Sequence, residues 1–310
     1  MENKLLWVDN LKVLGILAVI LGHIASPFGG FIFSWHMPLF FMIAGFFIKF
    51  NISLIDFIIK DFKRIMIPYF IFVFIGLSME AFKRIALHRD GLDYINELKG
   101  VFIWMDMSSL INSYAFVLWF LPALFFARVT LFVIDKYIRK LFIQFVIVGI
   151  LFGISFLLNL PLAIDNAFNS ILFVFIGSIF FRFYQESTFL YILPFLLIGL
   201  YFVVSIPTLD MASKNYNNIL INIIWAISII YFFILAFKKL HYTNKLLSMW
   251  AGNTMLLFII HPYTNNIAHI TVERLHFGDW YLKFFISLVL LQILLFIKLK
   301  FKNKGIFKYV

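Results

Sequence analysis

Between Lys12 and Lys49 nothing in the chain titrates except two histidines. A run of that length exceeds one buried helix of a soluble domain, and about 20 apolar residues suffice to cross a bilayer. The stretch reads as two membrane-spanning helices joined by the short turn Ser26-Pro27-Phe28-Gly29-Gly30. Each helix then holds one histidine, His23 or His36. Lys12 precedes His23 by eleven residues. At about 100° per residue that is three turns plus roughly 20°, so both side chains share a face. Gly15, Val19, Gly22 and Ser26 lie within about 100° of the same direction. Small residues let helices approach closely, and ionisable groups in a membrane face the protein interior or a wet cavity. The stripe is built for protein, not for lipid.

Apolar runs recur along all 310 residues, 63% of which are hydrophobic, with a mean hydropathy of +0.99. The expectation is an all-α, polytopic helical membrane protein with about ten transmembrane helices, forming a single membrane-embedded domain over residues 1–310. The spans fall roughly at 9–27, 31–49, 65–80, 114–134, 141–160, 167–184, 188–206, 217–237, 252–271 and 281–298. The first run passes straight into the second without a small-residue cleavage pattern, so it does not read as a removable signal peptide. With the N-terminus inside, cytoplasmic segments hold 18 of the 26 Lys and Arg, against 7 outside and Lys12 within the first span. That asymmetry places both termini in the cytoplasm. The net charge of +11 is therefore spread over helix ends and does not point to nucleic acid. Having no cysteine, the chain has no disulfide, thiol nucleophile or thiolate metal site. No internal repeat is visible, which weighs against a transporter made of duplicated halves.

Two imidazoles brought together across a short hairpin suit general acid/base work, because histidine titrates near neutral pH. His36 heads a helical first turn, His36-Met37-Pro38, where proline is tolerated. His261 ends a further apolar run, and Thr254, seven residues earlier, lies within about 20° of the same face. His261 follows Trp250 by eleven residues, as His23 follows Lys12. Both histidines should thus sit at a similar depth, about 16 Å in. Interhelical hydrogen bonding beside a Pro262 kink and a functional role are both open for His261. The spacing offers no metal-ligand pair, and His-Glu-x-x-His is absent, so no metal is expected. Lys63 and Arg64 have two readings, an orientation signal or contacts to the phosphates of an anionic cosubstrate; their position alone favours the first. Trp119, at the start of a span, fits an interfacial aromatic belt.

With these residues in view, the chain resembles the acyltransferase-3 family of integral membrane acyltransferases, and within it the fucose 4-O-acetylase-like and surface-polysaccharide O-acetyltransferases. The resemblance covers essentially the whole chain. It rests on Asp9-x-x-Lys12, on the basic residue ten positions clear of histidine across Lys12 and His23, and on Phe33-x-Trp35-His36-Met37-Pro38-Leu39-Phe40-Phe41. Further markers are Lys63-Arg64 with Pro68, Leu118-Trp119-Phe120-Leu121, and Gly252-Asn253-Thr254 with His261-Pro262. The resemblance implies an acyl-CoA donor, typically acetyl-CoA, as cosubstrate with no bound cofactor, and transfer to a hydroxyl of a sugar. It also implies a catalytic role for His23 with the basic Lys12 essential beside it. Many members carry Arg where this chain has Lys12. No appended esterase-like domain is seen, so transfer would be completed by the membrane unit or handed to a separate acyl-accepting or glycan-synthesis protein.

The expected function is O-acylation of a cell-envelope glycan or its lipid-linked precursor in a bacterial cytoplasmic membrane. His23 would be the general base, Lys12 would support the donor, and His36 would assist as second acid/base or position the acceptor. Lys63 and Arg64 would contact the donor, while Trp119, Thr254 and His261 would support the site. A different class remains beside it: an exporter or flippase of polysaccharide or lipid-linked sugar, using the same histidines as polar lining and proton relays.

Overall fold

The computed structural model describes residues 5–183, 206–240 and 244–301, together with Lys304. Their regular structure is helical apart from a two-stranded antiparallel hairpin pairing Leu209–Asp210 with Asn215–Tyr216. They divide into two compact units. One holds the chain up to Ile43 with 206–210 and 215–301; the other holds 44–183 and 211–214.

The first unit is arranged around α1, Leu6–Gly22, with Asp9 in its first turn at the positive end of the helix dipole. The chain turns away at His23 and re-enters a short helix α2, Gly29–Phe33, followed by α3, His36–Phe46, which belongs to this unit as far as Ile43. Gly15 and Gly22 are what allow these segments to lie against α1. A Cβ at Gly15 would stand 2.9 Å from the Phe40 ring, and one at Gly22 2.9 Å from Ile32 Cγ2. The small-residue stripe therefore faces protein, as helix packing in a membrane requires.

Around α1 also pack helices at Ile219–Leu240, Lys245–Ala251, Thr254–Leu275 and Trp280–Lys300. Asn244 caps Lys245–Ala251, its Oδ1 accepting from the Leu247 amide at 2.8 Å. The Gly252-Asn253-Thr254 segment that follows is tied to the last helix. Lys298 Nζ donates to Asn253 Oδ1 at 2.6 Å, and Trp250 Nε1 to Gln292 Oε1 at 2.8 Å.

The second unit is centred on Phe120–Tyr137, packed against Ile164–Phe183. Its first long run, Leu54–Ala86, is interrupted by a π-helical turn at Phe62–Met66, immediately before Pro68. Proline brings no amide hydrogen for the carbonyl four residues back, so the ladder must shift at this point, and the π turn absorbs the shift.

The structure corrects the count of about ten spans. Among the described residues, six helical segments are long and apolar enough to cross a membrane: Gly29–Phe46, Leu54–Ala86, Tyr114–Tyr137, Pro161–Arg182, Ile219–Leu240 and Trp280–Lys300. The protein is an all-α polytopic membrane protein on that basis. The expected first span fails on length, because α1 stops after 17 residues at Gly22. The run from 141 yields a 14-residue helix, Leu141–Ile154, reaching only about 21 Å. Thr254–Leu275 is long enough but too polar, carrying His261, Thr264, Asn265, Asn266 and His269. The expected span at 188–206 lies, but for its last residue, outside the described residues. The alternation of sides that placed both termini in the cytoplasm was counted on ten spans and falls with them.

Candidate active site

Three histidines converge in the first unit. His23 sits just past the end of α1, where it bonds Val19 O twice, through its backbone N–H at 3.2 Å and through Nδ1 at 2.9 Å. His36, the first residue of α3, places Nδ1 2.9 Å from Ile32 O in α2. His261 bonds Phe258 O through Nδ1 at 2.6 Å. The last bond has a local cause. Phe258 O would normally accept from the amide four residues on, but that residue is Pro262, which has none. His261 supplies the donor instead.

A carbonyl only accepts, so each Nδ1 must carry the hydrogen, and each neutral ring is left with Nε2 as its basic nitrogen. The His23 ring centroid lies 4.9 Å from that of His261 and 6.4 Å from that of His36, both edge-on. His23 is the exposed member, whereas His36 is 1% and His261 0% exposed. His261 Nε2 is buried and meets no hydrogen-bond partner among the described residues. One accessible base thus stands against two enclosed imidazoles, in a geometry suited to taking a proton from a hydroxyl that reaches His23.

A buried polar chain holds His261 in place. Thr264 Oγ1 shares its one hydrogen between Ser287 Oγ at 2.8 Å and His261 O at 3.1 Å. Ser287 Oγ donates to Asn265 Oδ1 at 2.7 Å, and Asn265 Nδ2 to Ile20 O in α1 at 3.0 Å. Three helices are pinned to one register by this chain. On the other side, Trp225 Nε1 donates to Ser34 Oγ at 2.9 Å, securing the turn just before His36.

Lys12 lies about three turns before His23 on α1 and pairs with Asp9 Oδ1 at 3.6 Å. Thr254 is the first residue of its helix, about two turns from His261, and is partly buried. The remaining expected residues belong to the second unit. Trp119 ends the 3-10 helix Tyr114–Trp119 and is buried. Lys63 is exposed on the π turn. Arg64 pairs with Asp61 Oδ1 at 3.0 Å. Asp61 itself is enclosed, and its second oxygen accepts from Arg128 Nε at 2.6 Å; Arg128 also donates to Ala44 O.

The sequence matches the profile of a family described as acyltransferase domain, acyltransferase family 3, over residues 5–298. The chain belongs to that family. No curated protein and no solved structure matches it. As an acyltransferase-3 member it is a membrane-embedded enzyme of acyl transfer.

Several buried polar residues of the two units escaped the sequence reading. Asn265 lies one turn past His261, on the same face, and that spacing was a usable signal. Arg128 fell inside an expected span while being counted as an end-of-helix charge; a charge at such depth is itself a flag. Asp61, Trp225 and Ser287 gave no signal, since their partners are 67, 191 and 22 residues away in sequence.

Proposed function

We propose that this acyltransferase-3 protein is an O-acyltransferase, in particular an O-acetyltransferase, which moves an acyl group from acyl-CoA to a hydroxyl of a cell-envelope glycan or its lipid-linked precursor in a bacterial cytoplasmic membrane. The acceptor hydroxyl gives its proton to His23 Nε2 as its oxygen bonds the thioester carbonyl carbon. The carbon–sulfur bond breaks, and the CoA thiolate leaves with a proton returned from His23. His36 and His261 stiffen the base and limit its reorganisation. Lys12 supports the donor electrostatically, with Lys63 and Arg64 as phosphate contacts and Trp119 and Thr254 as supporting groups.

One observation carries the reading: His23 is the accessible ring of a three-histidine cluster, and its Nδ1 hydrogen is committed to Val19 O. The test is transfer of label from acetyl-CoA to glycan in membranes bearing wild type or His23→Gln. The variant should insert and accumulate normally while transfer falls by about 10²–10⁴-fold. More than about a tenth of wild-type activity would remove His23 from the role of base.

A further inference from the structure

The second unit carries a charged basin that the acyl-transfer reading does not use. It is an open depression of about 440 Å³ lined by Phe50, Asp135, Lys136, Arg139, Gln144 and Arg182. Three of these are cations and one is an acid. The acid is already occupied. Asp135 Oδ1 accepts from Arg182 Nη1 at 2.8 Å and from Gln144 Nε2 at 3.4 Å. Arg182 is held further by Phe50, whose ring centroid lies 3.9 Å from the guanidinium carbon. Gln144, itself buried, is locked by a 2.6 Å bond from Nε2 to Ile138 O. Lys136 and Arg139 are exposed, and among the described residues neither forms an ion pair. The basin is thus a rigid frame with two uncompensated positive charges at its rim.

Its remaining wall adds to the same sign. The helix Leu141–Ile154 begins at the basin, through Leu141, and its N-cap residue Lys140 makes no side-chain capping bond. The positive end of a helix dipole therefore contributes there as well. An orientation signal requires only charges near a membrane surface; it requires neither a depression between them nor an arginine stacked on phenylalanine.

What the basin borders identifies the ligand. Phe142 is 76% and Phe145 57% exposed on the helix that leaves it, with Ile143 and Ile150 also open. In an integral membrane protein such a face meets acyl chains. We propose that this basin binds the phosphate headgroup of an anionic phospholipid, whose chains lie along the exposed face of Leu141–Ile154. Basic pockets beside membrane helices are suited to this, each Lys or Arg contributing about 1 kcal/mol. A soluble phosphate, such as that of the acyl donor, shares the headgroup chemistry but has no use for the apolar face.

The test is native mass spectrometry of the full chain released from nanodiscs of phosphatidylglycerol and phosphatidylcholine. Wild type should retain one phosphatidylglycerol that Lys136→Gln/Arg139→Gln loses, with apparent affinity about thirtyfold weaker in the variant, at about fivefold per cation. Lys245→Gln, an exposed cation of the first unit, should retain the lipid and thereby exclude a general charge effect. Equal phosphatidylglycerol retention by wild type and the double variant would overturn the proposal. So would displacement of the retained lipid by millimolar coenzyme A, which would assign the basin to a soluble phosphate. Neither outcome touches the role of His23, which is read from label transfer.

Discussion

His261 donates its Nδ1 hydrogen to the carbonyl that Pro262 leaves without a helical partner. Sequence neighbours thus determine a tautomer: the proline removes a donor, the histidine replaces it, and Nε2 is left as the basic nitrogen. Pro262→Ala would restore an amide donor to Phe258 O, which would then be shared with His261 Nδ1 and hold the ring less firmly. Proline inside a helix is about 3 kcal/mol less favourable than alanine. The variant should therefore melt at a higher temperature in detergent while turnover drops by about tenfold or more, with little change in the acceptor's KM. A stabilised protein with undiminished turnover would show that the tautomer of His261 is irrelevant to the reaction.

The clustering of the histidines was legible in part. Equal spacings of eleven residues, Lys12 to His23 and Trp250 to His261, suggested a common depth, and the two rings do lie 4.9 Å apart. The helix that presents His23 was not legible in its length. Hydropathy continues through Ile24, yet the helix ends at Gly22, because Ser26-Pro27 and the paired glycines favour a turn and the His23 ring folds back on Val19. Apolarity reports what lipid or protein will cover, not where the backbone stops. The same blindness inflated the span count, since the helix bearing His261 is polar for the sake of its network. Long-range pairs such as Asp61–Arg128 have no period for a sequence to reveal.

That ion pair leads to a stability prediction. The Asp61 side chain is 3% exposed and that of Arg128 2%. Removing one partner of such a pair leaves a buried charge unmatched, commonly at about 3–5 kcal/mol. Asp61→Asn should accordingly lower the melting temperature and the yield of folded protein in membranes. The double replacement Asp61→Leu/Arg128→Met, which removes both charges, should recover much of the loss. Wild-type melting of Asp61→Asn would mean that the pair has no structural weight.

Lys12 makes a weaker but separable demand. It lies on the His23 face of α1 and pairs with Asp9 at 3.6 Å. If its charge supports the donor, Lys12→Arg should keep most of the acyl-transfer activity and Lys12→Met should lose it, since arginine keeps the charge and the reach to Asp9. Matching activities of the two variants would leave only the aliphatic stem as the relevant part.

Arg64 offers the sharpest distinction between a topological and a functional charge. Its partner Asp61 is held independently by Arg128, so replacing Arg64 leaves the enclosed carboxylate compensated and the fold intact. An orientation signal acts during insertion and has no place in the kinetics of protein already inserted. A phosphate contact instead supplies binding to the nucleotide part of acyl-CoA, remote from the reacting carbonyl and equal in ground and transition states. Losing binding of that kind raises KM and spares turnover. Hydrogen bonds to a charged group are worth roughly 1.5–3 kcal/mol, or about ten- to a hundredfold in apparent affinity. Arg64→Gln should therefore raise the donor's KM by about that factor and leave the acceptor's KM unchanged. It should also discriminate less than wild type between acetyl-CoA and an acetylated pantetheine that lacks the nucleotide. Unaltered donor kinetics in correctly inserted protein would return Arg64 to the role of an orientation signal.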